Sequence, residues 1–182
     1  MRIIAGEWRG RKIVAPSGDN TRPTADRTRE TLFSMLHSRL GGFEGLAVAD
    51  FFAGSGALGL EALSRGAASC LFVEQEPAAL KAIKANIATL GAEARSEVRA
   101  GSVLALGLPK APLDLILLDP PYASGAGEVA LDKLSRLGWI NEATWISLET
   151  ALAEEPEIKG FEPVAERKVG KARLTLFRLV QG

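Results

Sequence analysis

One cysteine and one histidine in 182 residues remove two kinds of chemistry at once. Cys70 has no second thiol in the chain to bridge to, and Cys70 with His37 is too little for a zinc cluster, so no metal is expected. No apolar run approaches the roughly 20 residues that cross a bilayer. The opening MRIIAG lacks the apolar centre of a secretion signal, so a cytoplasmic location without membrane attachment is expected. Excess charge of either sign is missing too, because 22 Lys/Arg balance 22 Asp/Glu. Repeats and low-complexity linkers are also absent. What remains, with 47% hydrophobic residues, is enough apolar material for one domain with a buried core.

The zero net charge hides a pattern along the chain. Residues 1–40 hold 8 Lys/Arg against 4 Asp/Glu, residues 41–160 hold 9 against 16, and residues 161–182 hold 5 against 2. Basic ends flank an acidic middle. If the ends meet in the fold they form a positive surface, the footprint of a polyanion; solvated charge on helix and hairpin faces explains the same numbers equally well.

MRIIAGEWRGRKIVAP sets two short apolar runs around Gly6 and Gly10, which predicts a hairpin carrying Arg2, Arg9, Arg11 and Lys12. Leu32, Phe33, Leu36 and Leu40 are spaced for a helix that ends at Gly41, with Thr24 as its cap. From residue 46 onward, apolar strands alternate with helices: strands at 46–54, 69–75, 96–101, 113–119 and 144–150, and helices over ALGLEALSRG, over PAALKAIKANIATLG and at about 127–137. Near-continuous apolar strands in this order indicate a parallel sheet covered on both faces. The last two runs, joined at 169–171 with no room for a crossover helix, predict an antiparallel hairpin added to that sheet. The expected architecture is therefore a seven-stranded, Rossmann-like α/β domain, with residues 1–41 as a basic extension and 42–182 as the catalytic core.

DFFAGSGALG places Gly54, Gly56 and Gly59 as G-x-G-x-x-G between a strand and a helix, and Glu74 follows 20 residues beyond Gly54 at the end of the next strand. Glycines there let the backbone turn and approach a ligand, and the carboxylate accepts from ribose hydroxyls. An adenosine-type ligand follows. A dinucleotide would set its pyrophosphate at the helix amino terminus, but Asp50 at the strand end repels phosphate and suits a cationic amino group. This favours S-adenosylmethionine over a nicotinamide dinucleotide, and the antiparallel terminal hairpin resembles the seven-stranded methyltransferase architecture with its reversed last strand, which implies the same donor.

LDLILLDPPYA ends a buried strand in Asp119 at the carboxyl edge of the sheet, where ligands sit. Pro120 and Pro121 fix φ and carry no N–H, so their carbonyls are free acceptors. Tyr122 offers a flat face to a base. If Asp119 and the Pro120 carbonyl each accept one N–H of an exocyclic amine, the nitrogen lone pair is aimed at a methyl donor. Asp119 can then take the proton.

Together RIIAGEWRGRKI (2–13), RPTADRTRETLFSML (22–36), DFFAGSGALGLEALSRGA and LDPPY resemble the RsmD family of bacterial 16S ribosomal-RNA (guanine(966)-N(2))-methyltransferases, along essentially the whole chain. The resemblance implies a class I methyltransferase fold, S-adenosylmethionine as donor, and 16S ribosomal RNA in a partly assembled small subunit as partner; a monomer is expected, although the sequence does not decide the oligomeric state. Carried over by position, Asp50, Gly54, Ser55 and Gly56 would hold the methionine part and Glu74, with Gln75, the ribose. Ser102 and Val103 would meet the adenine, although many relatives have an acidic residue where Ser102 stands. Asp119, Pro120 and Tyr122 would hold the target amine and base. Arg2, Arg9, Arg11, Lys12, Arg22, Arg27 and Arg29 would follow the RNA backbone, with Trp8 stacking on an unpaired base; alternatively Thr24, Arg27 and Arg29 close over the cofactor. Removal of residues 1–15 is expected to abolish RNA binding and spare donor binding.

Rival readings are a DNA adenine-N6 methyltransferase, a non-catalytic RNA-binding assembly factor and a nicotinamide-dependent oxidoreductase. His37, Cys70, Trp139 and Trp145 read as structural, and Glu149 receives no role.

Overall fold

A computed structural model describes residues 1–16 and 22–180, with the side chains of residues 22–24 outside the description. The elements run α1 (Arg22–Leu40), β1 (Ala47–Phe51), α2 (Ala57–Ser64), β2 (Ser69–Glu74), α3 (Pro77–Leu90), β3 (Ser96–Ala100), β4 (Leu115–Leu118), α4 (Ala126–Leu137), β5 (Trp145–Ala151), β6 (Phe161–Val169) and β7 (Ala172–Leu179). They form one seven-stranded sheet in the order β3-β2-β1-β4-β5-β7-β6. Strands β1 to β5 pair in parallel, while β7 runs antiparallel between β5 and β6. The expected parallel sheet and terminal hairpin are both present.

All four residues of β4 are buried, as an apolar strand covered on both faces requires. The chain leaves β1 toward β2 on one side, and β4 pairs β1 on the other. A crevice therefore opens above the carboxyl ends of β1 and β4. Helix α2 lies against β2 because Gly59 has no side chain: a Cβ there would stand 2.4 Å from Phe72 Cε1 and 2.6 Å from Cys70 Sγ.

The amino-terminal segment departs from expectation. Its hairpin shrinks to a single antiparallel bridge, Arg2 to Lys12. The reason is visible in where the backbone donors go. The Ile4 and Ala5 N–H groups donate to the two carboxylate oxygens of Glu61 on α2, at 2.8 and 3.1 Å, rather than to an opposing strand. Glu61 is fully buried and also meets Arg65 Nε at 2.9 Å and Arg29 Nε at 3.5 Å. Asn86 of α3 holds the other end of the segment: its Oδ1 accepts from Val14 N–H, and its Nδ2 donates to the carbonyls of Val14 and Ser55.

Ile3, Trp8 and Ile13 sink into the same hydrophobic cluster as Phe33, Leu36, Leu60 and Leu63. Deleting residues 1–15 would strip that cluster, so the deletion is expected to disturb the core as well as remove the basic residues. Helix α1 begins at Arg22, which places Thr24 inside its first turn and not at the cap.

The two basic ends meet. Arg39 on α1 donates to the Val164 carbonyl on β6 at 3.0 Å, and Val164, Ala165 and Val169 pack against the cluster that holds α1. Trp139 is buried edge-on to Phe51 and donates to the Gly107 carbonyl, Trp145 lies beneath Arg178, Cys70 is buried, and His37 is exposed.

Candidate active site

The crevice above β1 and β4 has a volume of about 830 Å³ and is walled by α1, the β1–α2 turn, the loops after β2 and β3, the loop after β4, and the β6–β7 turn. That volume suits a nucleoside-sized ligand together with part of a second molecule.

At one end stands Asp50, only 1% exposed. Its Oδ2 accepts the Gly59 N–H at 2.9 Å, while Oδ1 is buried with no partner. Burial, aided by the nearby Glu74 charge and opposed by the Gly59 bond, pushes its pKa from 3.8 up to about 8. An orphaned carboxylate oxygen of this kind asks for a cation or a donor. Beside it Gly54 takes φ 58°, and a Cβ built on it would meet nothing within 4 Å, so its backbone faces open space. Glu74 Oε1 accepts the Gly54 N–H at 2.8 Å, and Oε2 accepts those of Gln75 and Glu76, each at 2.9 Å. The carboxylate predicted for a ligand thus also holds the glycine loop in shape.

Ser55, Gln75, Ser102 and Val103 line this end as expected. Ser102 Oγ accepts the Leu104 N–H at 3.1 Å and so starts the short helical turn that presents Val103. Gly56 is a correction. It does not line the crevice but is buried against Phe72 and Ile83, where it shapes the turn. Phe52, which sequence reasoning passed over, does line it, with φ 61°. That left-handed conformation in a bulky residue costs about 1–2 kcal/mol, is imposed by the turn, and explains why β1 stops at Phe51.

At the other end lie Asp119, Pro120, Pro121 and Tyr122. The loop is braced: Ala123, at φ 57°, donates its N–H to Glu154 at 2.9 Å, and the Ser124 hydroxyl donates to the Pro121 carbonyl at 2.6 Å. The Tyr122 ring is 46% exposed, and its hydroxyl donates to Glu149 Oε2 at 2.8 Å.

Glu149 is the residue the sequence left without a role. Leu118 pairs in register with Leu148, so the next residue on each neighbouring strand is Asp119 and Glu149. The signal that could have found it was its place at the carboxyl end of the strand beside Asp119. Enclosure by protein raises the Asp119 pKa, with further upward pressure from Glu149 and Asp50; Glu149 is raised by burial as well, against the opposing Tyr122 bond. Asp119 is nevertheless exposed to solvent in the open crevice. Water there relieves part of its desolvation, and the full effect awaits a substrate that displaces the water.

The basic residues divide. Arg2, Arg9, Arg11, Lys12 and Arg27 are exposed, with Arg11 steadied by the Thr89 carbonyl at 2.7 Å. Trp8 is 6% exposed, lies under Arg95, and has no free face for a base. Arg29 is 3% exposed and spends its guanidinium on Asp26, Glu61 and the Arg2 carbonyl. It belongs to the crevice wall, not to an RNA surface. The Arg22 and Thr24 side chains lie outside the described residues.

The protein-family model described as Conserved hypothetical protein 95 matches residues 1–178. Ribosomal RNA small subunit methyltransferase D of Escherichia coli (strain K12) is 39% identical over 150 residues, covering 82% of this chain and 74% of that one. The chain belongs to the RsmD family. The protein of the same name from Haemophilus influenzae is 38% identical over 154 residues, covering 82% and 78%. Among solved structures, Escherichia coli yhhF superposes with a TM-score of 0.83 at 35% identity, over 98% of this chain and 97% of that one.

A family member with this sheet order has the class I methyltransferase fold expected of it. The magnesium protoporphyrin IX methyltransferase of Synechocystis PCC 6803, solved with bound SAM, shares that fold at a TM-score of 0.68 and 15% identity, over 94% of this chain and 87% of that one, a likeness of fold alone. Among the described residues no helix is long and apolar enough to cross a membrane, and no cluster of three or more His, Cys, Asp or Glu could hold a metal.

Proposed function

We propose that the protein transfers a methyl group from S-adenosylmethionine to the exocyclic N2 amine of an unpaired guanine in 16S ribosomal RNA, the guanine(966)-N(2) position of the family name, on a small-subunit particle part-way through assembly. The observation that carries this is one crevice holding the orphaned Asp50 oxygen at one end and Asp119 with Tyr122 at the other.

The residues fit the donor. Asp50 Oδ1 suits the ammonium of its methionine part, Gly54 leaves space for backbone approach, and Glu74, with Gln75 beside it, suits the ribose. Ser102 and Val103 would border the adenine. When bound, S-adenosylmethionine supplies an electrophilic methyl group on a sulfonium.

The rest falls to this chain's own residues. An aryl amine is a poor nucleophile because its lone pair is delocalised into the ring. Asp119 and the Pro120 carbonyl, each accepting one N–H, draw the nitrogen toward tetrahedral geometry and fix the direction of its lone pair. As nitrogen gains its fourth bond, Asp119 shares the positive charge and then removes one proton; its raised pKa makes it the stronger base. The exposed Tyr122 ring offers a platform for the base. Arg2, Arg9, Arg11, Lys12 and Arg27 supply exposed charge for the phosphates, and the guanine must leave any pairing to reach the crevice.

Incubating the protein with labelled donor and small-subunit particles that lack the modification, then mapping the methylated base, tests this directly. Label on guanine N2 is expected; label on an adenine or cytosine, or none at all, would sink it.

A further inference from the structure

Within that reaction, and resting on that reading, Glu149 remains unaccounted for. It follows Leu148, the register partner of the Leu118 that precedes Asp119, so the two backbones lie one strand spacing, about 4.8 Å, apart, and both residues line the same crevice. One of its oxygens, Oε2, is held by the Tyr122 hydroxyl at 2.8 Å, which fixes the carboxylate relative to the stacking ring.

Asp119 and the Pro120 carbonyl already provide for the two hydrogens of the target amine. A ring N–H beside that amine is what distinguishes the bases. The guanine amine is flanked by N1, which carries a hydrogen, and by N3, which is bare. In adenine and cytosine the ring nitrogen adjacent to the amine is a bare acceptor. An ionised carboxylate is acceptor-only, so it bonds a ring N–H and repels a bare ring nitrogen, and a buried acceptor without its donor is costly.

We propose that Glu149 is the specificity-determining residue of the site: its carboxylate, oriented by Tyr122, accepts the N1–H of the target guanine and excludes bases that have a lone pair at that position.

The test uses the protein and small-subunit particles reconstituted with RNA carrying either guanine or 2-aminopurine at the target position. 2-Aminopurine keeps the reactive amine but has a bare N1. The swap also removes O6, so the readout is how the guanine to 2-aminopurine ratio of kcat/KM changes between enzymes. Wild type is expected to prefer guanine by about 100-fold or more. Glu149→Gln can turn its amide NH2 toward a bare N1, so the ratio is expected to fall at least about tenfold.

A second variant, Tyr122→Phe, frees Oε2 but keeps the carboxylate; it should slow turnover on both substrates while retaining most of the preference. Equal losses on both substrates in Glu149→Gln would overturn the proposal, leaving Glu149 as a prop for Tyr122. Failure of the wild type to methylate guanine at all would instead sink the proposed function, so the two failures are distinguishable.

Discussion

The two ends of the crevice hold carboxylates in opposite states. At the Asp50 end, Gly54, Gly59, Gln75 and Glu76 all aim backbone N–H groups at Asp50 or Glu74, so most acceptor capacity is filled by the chain itself and one oxygen is left over. At the Asp119 end, two carboxylates from adjacent strands face each other and a tyrosine hydroxyl. One end is a preformed cradle in which one buried carboxylate oxygen has no partner in the chain. The other is a cluster of acceptors open to the crevice, where Glu149 already takes one hydrogen bond from Tyr122 and Asp119 faces solvent. Under the proposed function the same residue type would bind at one end and act on a substrate at the other, and the backbone around each carboxylate sets the difference.

Replacing Asp119 should expose that difference most. Asp119→Ala is expected to lower the single-turnover methylation rate about 10³-fold, within the range for loss of a positioned acid–base group. Its affinity for S-adenosylhomocysteine by calorimetry should stay within about threefold of wild type. A large loss of donor affinity would mean that the two ends are not separate. Because the Asp119 and Glu149 pKa values are both raised and the reaction needs the ionised pair, kcat of the wild type should fall on acidification at a pH above the ordinary carboxylate range.

The next largest effect is a pH dependence at the cradle. Asp50 has a folded-state pKa of about 8 against 3.8 unfolded, so the free native state holds a proton that the unfolded chain releases. This group's contribution to stability is therefore complete below about pH 4 and is lost as pH rises toward 8. A cationic ligand needs Asp50 ionised. Affinity for S-adenosylhomocysteine should rise up to about tenfold per unit between pH 5 and 7, with proton release visible as a dependence of calorimetric heat on buffer. In Asp50→Asn that release should vanish; its persistence would move the titration to another group.

Much of this was legible because it rests on local rules. β4 is an unbroken apolar run ending in Asp-Pro-Pro, and a strand so built must be buried and must deliver its carboxylate to the sheet edge. What could not be read depended on partners distant in sequence. Trp8 and Arg29 look like an aromatic and a cation free to meet RNA, but Arg95 covers one and Glu61, 32 residues along, claims the other. Only the packing of the first 15 residues onto α2 and α3 reveals that exchange. Glu149 was missed for the same reason in reverse. On its own strand it is one acid in a run of small and apolar residues, and its meaning comes from Asp119 in the next strand and from Tyr122, 27 residues earlier.

The finest contrast lies within the cradle. Glu74 gathers three backbone N–H groups and faces the crevice, so Glu74→Ala removes both a ligand acceptor and the brace of the glycine loop. Leaving the part-buried Gly54 N–H unmatched costs about 1–3 kcal/mol, which corresponds to a donor affinity about 10- to 100-fold weaker, while the exposed Gln75 and Glu76 groups can turn to water. Ser102 holds a single N–H, that of Leu104, in a turn that is also closed by the Ala105 and Leu106 backbone bonds. Ser102→Ala leaves those bonds in place and should weaken donor binding only about threefold, a few tenths to one kcal/mol. Calorimetry giving the reverse ranking would show that the adenine side, and not the ribose side, anchors the donor, and the division of labour drawn between Glu74 and Ser102 would have to be inverted.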